Sequence, residues 1–82
     1  MLKPIAVKIE DIYVPAERRK ELDLEKVEAV AEEIMAETEQ NPISVRKGKG
    51  RYVLVSGVHR LEARKALGDE NIQAMVVGAR LF

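Results

Sequence analysis

The stretch VSGVHRLEARKALG, Val55 to Gly68, decides the fold and contains the chain's only histidine, His59. The apolar run YVLV, which ends at Val55, predicts a strand, and the Ser-Gly pair after it breaks that strand. Residues from about His59 to Leu67 have helical periodicity, and Gly68 stands where a glycine commonly follows a helix. The stretch therefore predicts a strand, a tight turn and a helix. One side of this helix is predicted to pack inward: His59, Ala63, Ala66 and Leu67.

The start of this predicted helix is suited to an anion. Backbone N–H groups at a helix N-terminus and the positive end of its dipole attract negative charge. Gly57 would let a phosphate approach the backbone, Ser56 offers a hydroxyl, and Arg60 can pair with phosphate oxygens. The alternative is a plain strand-to-helix turn with a half-buried histidine. The spacing alone leaves these two interpretations open.

The N-terminal half predicts a strand, a loop and an amphipathic helix. Residues 3–12 alternate apolar and polar side chains, which is typical of a half-buried strand. The charged segment AERRKEL, residues 16–22, is predicted to be a loop. Asp23 has the character of a helix N-cap, and the helix after it is predicted to continue to about Ala36. Its apolar stripe contains Leu24, Val27, Val30, Ala31, Ile34 and Met35.

The C-terminal half predicts a hairpin, the helix of the opening stretch and a last strand. ISVR and RYVLVS flank the sequence KGKG, which favours a β-hairpin with a glycine-rich turn. IQAMVV predicts the final strand. The order β-α-β-β-α-β predicts an α+β fold in which two main helices cover a mixed sheet. The 82 residues, 1–82, are expected to form a single domain.

The composition excludes several classes of function. The chain has no cysteine and one histidine, so no disulfide, thiolate nucleophile or metal site is predicted. Its formal net charge is zero, whereas a protein that holds DNA unaided is usually basic. No apolar run approaches the roughly 20 residues that cross a bilayer, and the N-terminus does not resemble a signal peptide. A cytoplasmic location and no membrane partner are therefore expected.

Three basic features are candidates for contacts with anions. Lys26 lies in the first turn of the first predicted helix, where a positive charge opposes the helix dipole unless an anion is present. The ERRK cluster (residues 17–20) and the hairpin cluster (RKGKGR, residues 46–51) are candidates for contacts with a phosphate backbone. For all three, the alternative is a solvated charge on the protein surface.

These segments resemble the superfamily of ParB-like and sulfiredoxin-like domains. YVLVSGVHRLEARKALG is similar to a strand-loop-helix signature in which a Gly-x-His-Arg or Gly-Glu-Arg-Arg motif holds the phosphates of a nucleotide. DLEKVEAVAEEI and NPISV are similar to the preceding helix and strand, and ENIQAMVV to the closing strand. The resemblance spans about Ile5 to Val77. It implies phosphate-binding roles for a set of neighbouring residues: Ser56, Gly57, Val58, His59, Arg60 and Lys26.

The chain departs from the superfamily's patterns at several points. Sulfiredoxins carry their catalytic cysteine between the glycine and the histidine, where this chain has Val58, so sulfinic-acid reduction is excluded. Their further helix contacts are hydroxyls, whereas Ala29 and Glu33 stand at the matching positions here. ParB proteins also carry a helix-turn-helix DNA-binding region that has no counterpart in these 82 residues.

The resemblance implies a domain that binds ATP, ADP or CTP through the phosphates, with Mg²⁺ arriving on the nucleotide. Free-serine kinases of the superfamily have a Pro-x-Glu loop whose glutamate is proposed as a base, and Pro15-Ala16-Glu17 is similar to it. Glu17 is therefore the candidate catalytic residue for phosphoryl transfer or nucleotide hydrolysis. Two alternatives stay open. One is a DNA-associated partition or regulatory module, and the other is an inactive scaffold that acts through a protein partner or as a homodimer.

Overall fold

The structure is a computed structural model that describes residues 3–37 and 41–78. A short 3-10 turn, Ile9–Asp11, separates the first two strands. Within the described ranges, the strands and α-helices are β1 (Ile5–Lys8), β2 (Ile12–Tyr13), α1 (Ala16–Arg19), α2 (Leu24–Met35), β3 (Ile43–Gly48), β4 (Arg51–Ser56), α3 (Val58–Ala66) and β5 (Asn71–Val76).

The strands form one mixed sheet in the order β1-β5-β3-β4-β2. β1 is antiparallel to β5, and β3 is antiparallel to β4 in the predicted hairpin. β3 with β5 and β2 with β4 are parallel pairs. Parallel neighbours need a crossover connection, and α3 lies in the connection from the hairpin to β5. The predicted α+β fold with a mixed sheet is confirmed.

The hydrophobic core lies between one face of the sheet and α3. Ile43 and Val45 of β3 are 0% exposed, and Leu54, which pairs with Val45 across the hairpin, is 2% exposed. Val58 and Leu61 of α3 belong to the same buried cluster. Because Val58 is the first residue of α3, the packing of the core fixes the position of the turn that precedes this helix.

The predicted helix ends are confirmed at both main helices. Asp23 is the N-cap of α2, and its carboxylate accepts the backbone N–H of Glu25 at 3.0 Å. Gly68 follows α3 with φ of 86°. The N–H of Asp69 donates to the carbonyl oxygen of Arg64 at 3.0 Å, which is the bond that closes a helix ended by a left-handed glycine.

Two predictions for the N-terminal half are wrong. The segment 16–22 is not wholly a loop, because α1 occupies its first four residues. The backbone N–H groups of Arg18 and Arg19 both donate to the carbonyl oxygen of Pro15 at 3.0 Å, and a proline lacks an N–H that the start of a helix would leave unpaired anyway. Residues 3–12 do not form one strand, since the 3-10 turn at Ile9–Asp11 interrupts them.

The predicted inward side of α3 is also wrong in part. Ala66 is exposed, whereas Val58, Leu61 and Ala63 are buried and His59 is half-buried. The physical reason is that α3 packs against two neighbours, the sheet and α2. A single stripe drawn on the helix cannot describe a helix that is covered from two directions.

The apolar stripe of α2 is covered only along its middle. Val27 is buried, but Leu24 and Met35 at the two ends are 73% and 68% exposed.

In the part of the chain that the structure describes, no helix is both long and apolar enough to cross a bilayer.

Candidate functional site

The turn between β4 and α3 depends on Gly57. This residue is the N-cap of α3 and has φ of 104°, in the left-handed region that favours glycine. A Cβ added here would lie 2.7 Å from Cγ2 of Ile43, which is closer than two non-bonded carbon atoms approach in proteins. The fold by itself therefore requires glycine at this position, whether or not a ligand approaches the turn.

The N-terminus of α3 has no side-chain cap, because its N-cap residue is a glycine. The first bond of the helix runs from the N–H of Leu61 to the carbonyl oxygen of Gly57 at 2.9 Å. The N–H groups of Val58 and His59 precede this bond, and helix geometry offers them no carbonyl oxygen of the same helix. The positive end of the α3 dipole is therefore presented at the turn.

A second helix N-terminus lies beside the first. The backbone N–H of Asp23, the N-cap of α2, donates to Nε2 of His59 at 3.0 Å. A ring nitrogen that accepts a hydrogen bond carries no proton, so the neutral imidazole has its proton on Nδ1. The single histidine thus joins the N-termini of α2 and α3, two segments that are 36 residues apart in the chain.

An open pocket of about 330 Å³ lies between these two helix starts. Its volume is within the range of small-molecule sites, roughly 300–1,000 Å³. The lining contains two basic side chains, Lys26 and Arg60, and one carboxylate, Glu21. The complete lining is Glu21, Lys26, Ala29, Val30, Gly57, Val58, His59 and Arg60.

Most residues that the sequence predicted for phosphate binding meet at this pocket, namely Lys26, Gly57, Val58, His59 and Arg60. Ser56 does not line it and is the exposed last residue of β4. Glu17, the candidate catalytic residue, is exposed on α1 and also lies outside the lining.

Glu21 is a charged residue of the pocket that the sequence patterns did not indicate. It lies between α1 and α2, and its carboxylate forms an ion pair with Nη1 of Arg18 at 3.2 Å. The spacing of the two residues, i and i+3, is the signal that could have found this pair, because it brings side chains together on a helical turn. The prediction of a loop for this segment concealed that signal.

Neither basic cluster contributes a residue to the pocket lining, although Arg18 of the ERRK cluster pairs with Glu21 there. Part of each cluster has an intramolecular partner. In the ERRK cluster, Nη2 of Arg19 donates to the carbonyl oxygen of Val14 at 3.0 Å. In the hairpin cluster, the guanidinium carbon of Arg51 lies 4.1 Å from the centre of the Tyr13 ring. Both guanidinium groups therefore help to hold the sheet edge at β2, as cation–π and hydrogen-bond contacts do.

A mixed sheet with a Gly-x-His-Arg turn at a helix N-terminus defines the class of ParB/sulfiredoxin-like domains. This chain belongs to the family described as the ParB N-terminal domain, whose family model matches residues 3–80. No curated protein matches the chain at a significant level.

Solved structures are similar over nearly the whole chain. Sulfiredoxin from Arabidopsis thaliana is 30% identical with a TM-score of 0.81, and the match covers 94% of this chain and 86% of that one. The C-terminally truncated chromosome-partitioning protein ParB from Caulobacter crescentus, complexed with CTP-gamma-S, is 23% identical with a TM-score of 0.80, covering 95% and 46%. A free serine kinase mutant in complex with ADP is 19% identical with a TM-score of 0.78, covering 90% and 30%. The chain thus spans less than half of the ParB and kinase chains.

Proposed function

We propose that this domain binds a nucleotide through its phosphates in the pocket between α2 and α3. The observation that carries the proposal is that the N-terminus of α3, which has no side-chain cap, lies at a pocket that also contains Arg60 and, from the first turn of α2, Lys26. Helix N-termini favour anions, and basic side chains add charge-assisted hydrogen bonds to phosphate oxygens. The open side of the pocket leaves room for the sugar and base.

The complexes of two similar folds support a nucleotide over inorganic phosphate. The ParB structure holds a CTP analogue and the kinase structure holds ADP, so ATP, ADP and CTP are the candidate ligands here. We expect Mg²⁺ to arrive with the nucleotide, since Mg²⁺ is commonly held through substrate phosphates. Over residues 3–37 and 41–78, no group of three or more His, Asp or Glu side chains is arranged to hold a metal ion.

Phosphoryl transfer or nucleotide hydrolysis is the chemistry that we propose for this site, in the cytoplasm. Sulfinic-acid reduction is excluded, because the chain has no cysteine. Phosphoryl transfer relies on positioning and on stabilisation of negative charge, both of which the pocket offers. Glu17 is the proposed base that takes the proton of an acceptor hydroxyl or water. It lies one helical turn before Glu21 of the pocket lining.

Titration calorimetry with ATP, ADP and CTP, each with Mg²⁺, tests the binding proposal. We expect at least one of them to bind with a Kd below about 1 mM, which corresponds to roughly 4 kcal/mol. Adenosine and cytidine are the matched controls and should not bind, because they lack phosphates. If a folded sample binds none of the nucleotides, or binds the nucleosides equally well, the proposal is wrong.

A phosphate-release assay tests the proposed chemistry separately. Glu17→Gln should lower turnover at least about 100-fold, as expected for loss of a general base, without changing nucleotide affinity. Glu10→Gln, at another exposed glutamate, is the matched control and should not change turnover. If Glu21→Gln stops turnover and Glu17→Gln does not, the base is Glu21.

A DNA-associated module is the second candidate function. It is favoured by the hairpin cluster, in which Arg46, Lys47 and Lys49 are all exposed. Contacts to a phosphate backbone would make DNA affinity fall steeply as salt increases. No retention on DNA at low salt would remove this candidate. If neither DNA nor a nucleotide binds, the scaffold that acts through a protein partner or a second copy is the remaining interpretation.

A further inference from the structure

We infer that His59 is a positioning residue that holds the two helix N-termini around the ligand, and that it does not hold phosphate through Nε2. The inference rests on the proposed nucleotide site and assigns a different role to its most conspicuous residue. Position alone would suggest a direct phosphate contact, because His59 lines the pocket between Gly57 and Arg60. The hydrogen bond that its ring accepts at Nε2 indicates otherwise.

The Nε2 atom of His59 is already engaged within the protein. It accepts the backbone N–H of Asp23 at 3.0 Å, while the Asp23 carboxylate accepts the N–H of Glu25 at 3.0 Å. Asp23 thus uses its side chain to cap α2 and its backbone to bind α3. A fully ionised phosphate oxygen has no proton to give and cannot replace Asp23 as the donor to an unprotonated Nε2.

The side chains of the first turn of α2 are exposed, whereas Leu22 just before the turn packs against the hydrophobic core. Leu24, Glu25 and Lys26 are all exposed, and the first buried residue of the helix is Val27. The start of α3 is different, because Val58 is 4% exposed in the core and so provides a fixed point. The hydrogen bond from Asp23 to His59 therefore ties the exposed first turn of α2 to the start of α3, which is held in the core by Val58.

This tie determines where the pocket's lysine lies. Lys26 follows Asp23 by three residues on the same helix, so the backbone carrying it moves when Asp23 moves. Arg60 is adjacent to His59 on α3. By fixing Asp23 against α3, the imidazole fixes the separation between the two basic residues that the proposed function assigns to phosphate.

Two substitutions of His59 separate positioning from direct phosphate binding. His59→Gln offers a carbonyl oxygen near the place of Nε2 and can accept the Asp23 N–H, whereas His59→Lys adds positive charge and has only donors. If His59 positions α2, Gln should bind ADP and CTP, each with Mg²⁺, within about threefold of wild type, and Lys should bind about tenfold more weakly. If Lys binds as tightly as wild type, or Gln loses as much as Lys, the inference is wrong.

A spectroscopic measurement tests the tie without any ligand. In ¹⁵N-labelled wild-type protein, we expect a scalar coupling across the hydrogen bond between the amide nitrogen of Asp23 and Nε2 of His59. Its absence in folded protein would overturn the inference while leaving nucleotide binding standing. If the coupling is present but wild type binds no nucleotide, the proposed function fails, and the tie then serves only to join two helices. Thermal unfolding of both variants checks that each is folded.

Discussion

The N-termini of α2 and α3 lie side by side and are built in opposite ways. The N-cap of α2 is Asp23, whose carboxylate accepts a backbone N–H from the first turn of that helix. The N-cap of α3 is Gly57, which has no side chain that could accept a backbone N–H. The first helix start is closed by the chain itself and the second is left open. The difference indicates that a carboxylate cap serves stability, whereas a glycine cap keeps the positive end of a helix accessible to an anion.

The largest expected effect comes from giving the open helix start a side chain. Gly57→Ala should lower the free energy of unfolding by about 3 kcal/mol, because it combines a left-handed residue with a clash against Ile43. Gly68→Ala is the matched control. Gly68 also has positive φ, but no atom lies within 4 Å of an added Cβ, so the loss should be about 1 kcal/mol. Urea unfolding measures the free energy of unfolding of both variants. Equal losses of stability would show that the contact with Ile43 contributes nothing.

Removing the pocket lysine should separate binding from stability. Lys26→Ala is expected to weaken nucleotide binding about tenfold or more, since a hydrogen bond to a charged group contributes about 1.5–3 kcal/mol. The free energy of unfolding should stay the same or rise by a few tenths of a kcal/mol, because a lysine in the first turn opposes the helix dipole. Lys49→Ala at the exposed hairpin tip is the control for calorimetry and should change neither quantity. Loss of stability without loss of affinity would contradict the role of Lys26.

Removing the Asp23 cap of α2 should have the opposite effect to Lys26→Ala, because it should lower stability and leave nucleotide affinity nearly unchanged. Asp23→Ala is expected to lower the free energy of unfolding by about 1 kcal/mol through loss of the N-cap. Nucleotide affinity should change less than about threefold, because the backbone N–H that binds His59 is retained. Chemical denaturation and calorimetry on the same sample test both statements, with Glu28→Ala on the exposed side of α2 as the control. A large loss of affinity would mean that the carboxylate also shapes the pocket.

The smallest expected effect is at the residue just before the open helix start. Ser56→Ala should weaken nucleotide binding at most about threefold, because Ser56 lies outside the pocket lining and a weak neutral hydrogen bond of about 0.5 kcal/mol corresponds to only about a factor of two. Titration calorimetry on the Ser56→Ala and Lys26→Ala variants measures which of the two loses more nucleotide affinity. An equal loss in the two variants would place Ser56 among the main phosphate contacts.

Local sequence patterns predicted the parts of the molecule that local physics controls. The Asp23 cap, the hairpin, the helix after Gly57 and the glycine that ends it all depend on residues within a few positions of each other. The Gly-x-His-Arg motif, identified through its resemblance to the superfamily, led to half of the pocket lining, the consecutive residues from Gly57 to Arg60.

The remaining features arise from contacts that the sequence does not display. The Asp23–His59 bond joins positions 36 residues apart, and no spacing rule connects them. The exposure of Ala66 follows from the packing of α3 against α2 as well as the sheet. The short helix α1 was missed because its charged residues lack an apolar stripe, and with it the inclusion of Glu21 in the pocket.

The close approach of Gly57 to Ile43 links the packing of the hydrophobic core to the shape of the candidate ligand site. Ile43 is 0% exposed at the centre of the sheet. Its side chain also packs closely against Gly57, in the turn between β4 and α3 where the ligand is proposed to bind. A differently shaped side chain at position 43 would displace that loop, and a bulkier loop residue would dislodge the strand. Because position 57 requires glycine, we expect members of this family to keep side chains of similar shape at position 43, so that the packing of the core also preserves the shape of the recognition surface.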